Sequence, residues 1–156
     1  MATNNLDADE AFRLGEEYDD AGDSENAMRH YRLSASLGRV AAMHSLGHCH
    51  LYGKHVAQDY SQAFFWFTQA ADRGCPQGMY HLGLCYTEGY GVKADLAQAA
   101  AWYRNSAERG DEDSMHRLGV ILLEGKGVPA DRAEAMVWLR KAASLGQEEA
   151  KAAIKT

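Results

Sequence analysis

Cysteine is scarce, with three in 156 residues. An odd count without a C-x-x-C pair argues against a disulfide framework and against a zinc ribbon. No stretch reaches the ~18 consecutive apolar residues that a membrane span needs, so no membrane partner is expected. Residues 1–7 hold neither a basic region nor an apolar core. No secretory signal is therefore expected there, and a reducing cytoplasm is the expected compartment. Lys and Arg number 16 against 22 Asp and Glu. Phosphate binding needs a basic surface, so a nucleic acid partner is disfavoured. The motifs GxSxG and HExxH and the P-loop are missing, as are linkers and low-complexity segments.

What is present is a foldable composition: 46% hydrophobic and 24% charged residues. The net charge of −6 is unevenly placed. Residues 1–38 hold nine acids and three bases, and the rest of the chain is balanced. That acidic end either solubilises the chain or steers a basic partner towards it.

An internal period of 36 residues dominates the sequence. Leu46-Gly47, Leu82-Gly83 and Leu118-Gly119 keep that step, as do Trp66, Trp102 and Trp138. So do Gly38, Gly74, Gly110 and Gly146, Val56, Val92 and Val128, Asp59, Asp95 and Asp131, and Ala63, Ala99 and Ala135. Each period reads as a pair of helices. Ala42, Met43, Leu46, Cys49 and His50 recur at helical spacing. Gly47 interrupts that pattern against its helix propensity, which implies close approach of a neighbouring helix. Gly53, Gly89 and Gly125 are expected to end the first helix as C-caps. Asp59-Tyr-Ser-Gln62, Asp95-Leu-Ala-Gln98 and Asp131-Arg-Ala-Glu134 have the capping-box pattern that opens the second. Ala63, Trp66, Phe67, Ala70 and Ala71 form its apolar stripe, with the three tryptophans expected in the core. The first unit is shorter: Leu14 to Leu46 is 32 residues, and Ala21-Gly22-Asp23 replaces the GxGVxxD loop. Ile154 lies one period after Leu118 and opens an incomplete fifth unit.

These residues closely resemble the Sel1-like repeat family, a relative of the tetratricopeptide repeat, with the first unit nearer the latter. The resemblance implies an all-α, right-handed α/α superhelical solenoid of about four hairpins plus a C-terminal capping helix. As one repeat domain over residues 1–156, its units are 8–38, 39–74, 75–110, 111–146 and the capping helix 147–156. Its family members act as adaptors and scaffolds, and some bacterial ones neutralise a cognate toxin. His55 departs from the pattern, standing where Gly91 and Gly127 stand; a left-handed backbone there would strain it. His50 and Leu122 replace the tyrosine seen at Tyr18 and Tyr86, and His50 is read as a packed histidine.

The binding groove of such an array is lined by the first helix of each hairpin. The expected protein-binding residues are Phe12, Glu16 and Asp19, then His44, His48 and Tyr52, then Tyr80, Leu84, Thr87 and Glu88, then His116, Val120 and Glu124. Asp20, Leu51 and Leu123 complete the same register. The set mixes aromatics, histidines and carboxylates without Lys or Arg, which suits a segment carrying apolar anchors and basic side chains. His44 and His48 could meet one metal, but three or four ligands are normally needed, so no metal site is expected. Cys49 and Cys85 share a repeat position with Ile121 and read as core; Cys75 lies in a Gly-Cys-Pro turn. No cofactor and no catalytic residue is expected. The leading function is an interaction module holding a protein or peptide, a basic one if the acidic end takes part. The alternatives are a small-ligand binder or enzyme using the His-rich groove, and an acidic inhibitor or immunity-type protein for a basic toxin or enzyme.

Overall fold

The computed structural model describes residues 6–155, and among these all regular structure is helical. The helices are α1 (Ala8–Asp20), α2 (Ser24–Ser36), α3 (Val40–Tyr52), α4 (Tyr60–Ala71), α5 (Pro76–Glu88), α6 (Leu96–Glu108), α7 (Glu112–Glu124), α8 (Arg132–Ser144) and α9 (Glu148–Ala153). They fall into two compact units, residues 1–73 and 74–156. The first holds the hairpins α1–α2 and α3–α4. The second holds α5–α6 and α7–α8, with α9 packed on α8.

Local chemistry accounts for the helix ends. Asp59, Asp95 and Asp131 accept the backbone N–H of Gln62, Gln98 and Glu134 at 2.9–3.1 Å. Glu134 is drawn elsewhere: its carboxylate pairs with Arg104 and accepts the Trp138 indole N–H at 3.1 Å. The buried hydroxyls of Ser34 and Ser106 donate to the carbonyls of Ala8 and Pro76, at 2.6 and 2.8 Å. Each thus ties the second helix of a hairpin to the start of the first.

The mid-helix glycines are contact points. A Cβ on Gly83 would lie 2.5 Å from the Tyr103 ring, and one on Gly47 2.5 Å from the Phe67 ring. The ring therefore seats directly on the neighbouring helix backbone. Phe67, Tyr103 and Leu139 are fully buried. Trp66, Trp102 and Trp138, expected in the core, are only half-buried. The two neighbours share one apolar stripe, but the helix turns by ~100° per residue and only the second meets the glycine. The indole also carries an N–H that must find a partner, and Trp138 finds it in Glu134 at the core edge. In the second unit the core runs through Met115, Leu118, Leu139 and Ala142 to Ala150 of α9, with Ile154 packed against it.

His50 is buried, and among the described residues nothing hydrogen-bonds to its Nδ1. An unsatisfied buried nitrogen costs about 1–3 kcal/mol. Leu122, two periods on at the same repeat position, is buried without that cost. His50→Leu is therefore expected to stabilise the chain by about 1 kcal/mol, read as a higher urea midpoint. A lower midpoint would mean that the imidazole has a polar partner and that its packing matters more than its orphaned nitrogen.

Candidate functional site

The sequence-selected residues divide between the two units. In the first, Asp19, His44, His48 and Tyr52 line one cavity of about 330 Å³, together with Tyr31, Ser45, Cys49 and Lys54. Phe12 is drawn away: the Arg39 guanidinium lies 4.6 Å from its ring centroid, and Tyr31 packs at 5.7 Å. Glu16 is exposed on α1, Leu51 is buried as core, and Tyr52 stands 63% exposed at the rim. The His44 and His48 rings meet edge to face at 4.6 Å, and His48 continues to Tyr52 at 5.4 Å. Burial, with His48 adding to it, pushes the His44 pKa down to about 4. Burial also lowers that of His48. Both imidazoles are therefore neutral at pH 7.

Asp19 anchors a polar network that sequence reasoning did not foresee. It accepts from Tyr31 Oη at 3.2 Å, Lys54 Nζ at 2.8 Å and His55 Nε2 at 2.8 Å. Burial opposes its ionisation, but the hydrogen bonds from Lys54 and His55 hold its carboxyl below the usual value. The other ring nitrogen of His55 meets Ser24 Oγ at 2.8 Å. This Ser–His–Asp series differs from a nucleophilic triad: its ring nitrogens are exchanged, Nδ1 meeting Ser24 and Nε2 Asp19. Its carboxylate charge is shared among three donors, so it reads as a clasp between the α3–α4 loop and the α1–α2 turn.

In the second unit, Thr87, His116, Val120 and Glu124 line a cavity of about 340 Å³ with Leu96, Tyr103, Ile121 and Arg117. Tyr80 and His116 line another of about 380 Å³ with Asp113, Gln147, Glu149 and again Arg117. Leu84 is half-buried and Glu88 exposed, and neither lines these cavities. Burial first, then Arg117, lowers the His116 pKa.

The expectation of a groove without Lys or Arg does not hold. Lys54 lines the cavity of the first unit, and Arg117 and Lys126 line that of the second. Lys54 and Lys126 lie two periods apart, just after the C-cap glycines, and each turns back to an acid: Asp19 at 2.6 Å and Glu124 at 3.1 Å. Lys126 folds back onto Glu124 at the end of its own helix α7, whereas Lys54 reaches Asp19 on the neighbouring helix α1. The signal was in the sequence at the loop positions, outside the four helix positions taken as groove-lining.

Cys49 and Cys85 are buried, and burial raises their pKa, that of Cys85 to about 12, which makes them inert thiols. Cys75 is the N-cap of α5, its Sγ accepting the Gly78 N–H at 3.4 Å. No described helix is long and apolar enough to cross a membrane.

A family model described as the Sel1 repeat matches residues 11–38, 40–75, 76–111 and 112–147, the shorter first unit included. No curated protein is significantly similar in sequence. Among solved structures, a protective antigen present in uropathogenic Escherichia coli strains and displaying an SLR fold superposes with a TM-score of 0.90 at 36% identity. That match covers 92% of this chain and 32% of the antigen. A Sel1 repeat protein from Oxalobacter formigenes gives 0.86 at 33% identity, over 95% of this chain and 44% of that one. The cysteine rich protein B of Helicobacter pylori gives 0.67 at 27% identity, over 83% and 93%. The chain thus spans less than half the length of the first two.

Proposed function

Because the chain belongs to the Sel1 repeat family, whose members generally mediate protein–protein interaction, we propose that it is a non-enzymatic interaction module. It takes a partner segment on the first-helix faces of its hairpins. The observation that supports this reading is the recurrence of one surface. In each unit the first helices carry cavities of about 330–380 Å³ walled by His and Tyr side chains, with the Asp19–Lys54 pair at one and the Glu124–Lys126 pair at another. Cavities of that size suit single anchoring side chains of a partner, with polar edges setting register. The cytoplasm is the proposed compartment, in keeping with three free thiols.

The neutral imidazoles and the mixed charges shape the partner. His44 and His48 offer stacking and hydrogen bonding without repelling a cation. Arg117 adds one positive group in the second unit, so a segment with apolar anchors and charges of both signs fits better than a uniformly basic one. Of the acidic residues that motivate the acidic-inhibitor reading, two are engaged within the chain, while Asp20 stays exposed. Asp19 is engaged by Lys54, His55 and Tyr31. Asp23 caps α2 through Asn26.

The test is partner capture from the source lysate by the wild-type chain beside His44→Ala/Tyr80→Ala/His116→Ala, with helicity checked by circular dichroism. Anchor residues in such surfaces contribute about 2 kcal/mol or more each, so the triple variant should weaken a captured partner by well over 30-fold. A partner that binds the folded triple variant as tightly as wild type places the working surface elsewhere.

A further inference from the structure

We propose that His44 and His48 form a two-imidazole site for a divalent metal ion of borderline softness, Zn²⁺, Ni²⁺ or Cu²⁺, inside the cavity of the first unit. The two residues stand four apart on α3, a spacing that puts side chains one above the other on a helix face. Their ring centroids are 4.6 Å apart with planes at 70°, and their ring nitrogens lie within 4.8 Å of one another. Two nitrogens at about 2.0–2.1 Å from one ion must come to roughly 3–3.5 Å of each other. Closing that gap takes a rotation of the broad terminal torsion of the imidazoles, with no backbone movement.

The surroundings are those of a ligand site. Imidazole ligates through a ring nitrogen, and both rings line this cavity. The cavity of about 330 Å³ has room for an ion with several exchangeable ligands. Cys49 in the same cavity is buried, and Asp19 accepts from Lys54, His55 and Tyr31. The first unit therefore supplies two nitrogens, and the remaining positions face the cavity, open to water. Imidazole nitrogens select Zn²⁺, Ni²⁺ and Cu²⁺ over Mg²⁺ and Ca²⁺, which require oxygen. The sequence expectation of no metal site rested on ligand count alone. A pair on one helix face in a cavity adds what the count omits, since only a ring rotation separates it from bridging one ion.

The experiment uses the full chain without an affinity tag, stripped with chelator. It is titrated with Zn²⁺ in a non-coordinating buffer by calorimetry and by ¹⁵N imidazole NMR. Expected are one saturable Zn²⁺ per chain and joint shifts of the His44 and His48 ring nitrogens. His44→Ala or His48→Ala should each weaken binding by more than tenfold, at least the loss that follows removal of a merely orienting neighbour. His116→Ala should leave it unchanged. The proposal is overturned by no saturable binding at about 1 mM Zn²⁺, where affinity falls to ~4 kcal/mol. Binding that survives both variants, or ring shifts confined to other histidines, overturns it equally. The NMR arm needs only wild-type protein, so it decides the matter even if a variant fails to fold. Loss of a protein partner in the groove variant bears on the interaction module and leaves this result untouched.

Discussion

Gly83→Ala is expected to destabilise the chain by about 3 kcal/mol, the upper end of the cost of overpacking a well-packed site. The sign is informative, because alanine in place of a mid-helix glycine normally gains about 1 kcal/mol in helix propensity. Here the added Cβ would lie 2.5 and 2.6 Å from two ring atoms of Tyr103. That ring is fully buried, and its hydroxyl meets Thr87 Oγ1 at 3.2 Å, so it cannot swing aside. The check is urea unfolding of Gly83→Ala, Tyr103→Ala and the double variant. Once the ring is gone the extra methyl has space, so the double variant should be less destabilised than the sum of the singles, by 1 kcal/mol or more. A neutral or stabilising Gly83→Ala would mean that the two helices are not in contact through this glycine.

That glycine also shows how far the sequence could be read. A 36-residue step repeated at Leu, Gly, Trp, Asp and Ala leaves few architectures, and a glycine held inside a helical stripe has few uses other than close approach. What periodicity could not do was choose between adjacent residues on one apolar stripe. The tryptophan repeats strictly and the next position reads Phe67, Tyr103 and Leu139, yet only that next residue meets the glycine. The site was half-legible for a similar reason. Positions counted along α3 and α7 found His44, His48 and His116. Lys54, Lys126 and Arg117 escaped, because a loop side chain after a C-cap can reach its own helix end or the neighbouring helix, and a one-residue step around a helix can still reach its neighbour's cavity. Phe12 differs again: Arg39, distant in sequence, lies over its ring.

His55→Ala is expected to cost about 2–3 kcal/mol, and His55→Gly about 1 kcal/mol less. The residue sits at φ 66°, in the left-handed region, where Gly91 and Gly127 have φ 69° and 75°. A non-glycine side chain there costs about 1–2 kcal/mol. At Gly127 nothing larger than glycine fits, since a Cβ there would lie 2.5 Å from Leu96 Cβ at the start of α6. The first unit differs on the other side of that contact. Ser24, the residue corresponding to Leu96, is small and polar. His55 can therefore reach past it to bind Ser24 Oγ and Asp19, and its side chain is 7% exposed. Two hydrogen bonds, one of them to a charged group, offset the strained backbone. Alanine loses both bonds and keeps the strain, whereas glycine loses the bonds and relieves it. Urea midpoints should rank wild type above His55→Gly above His55→Ala. The Asp19 share of the clasp has its own pH signature. A carboxyl held below its unfolded value of 3.8 contributes stability that is present above that pH and lost as pH falls through the folded value. The gap between wild type and His55→Ala should accordingly narrow below about pH 3.8, where protonation of Asp19 removes the charge that both Lys54 and His55 address. A His55→Gly chain more stable than wild type would show that the histidine is a tolerated substitution, with no part in holding the loop.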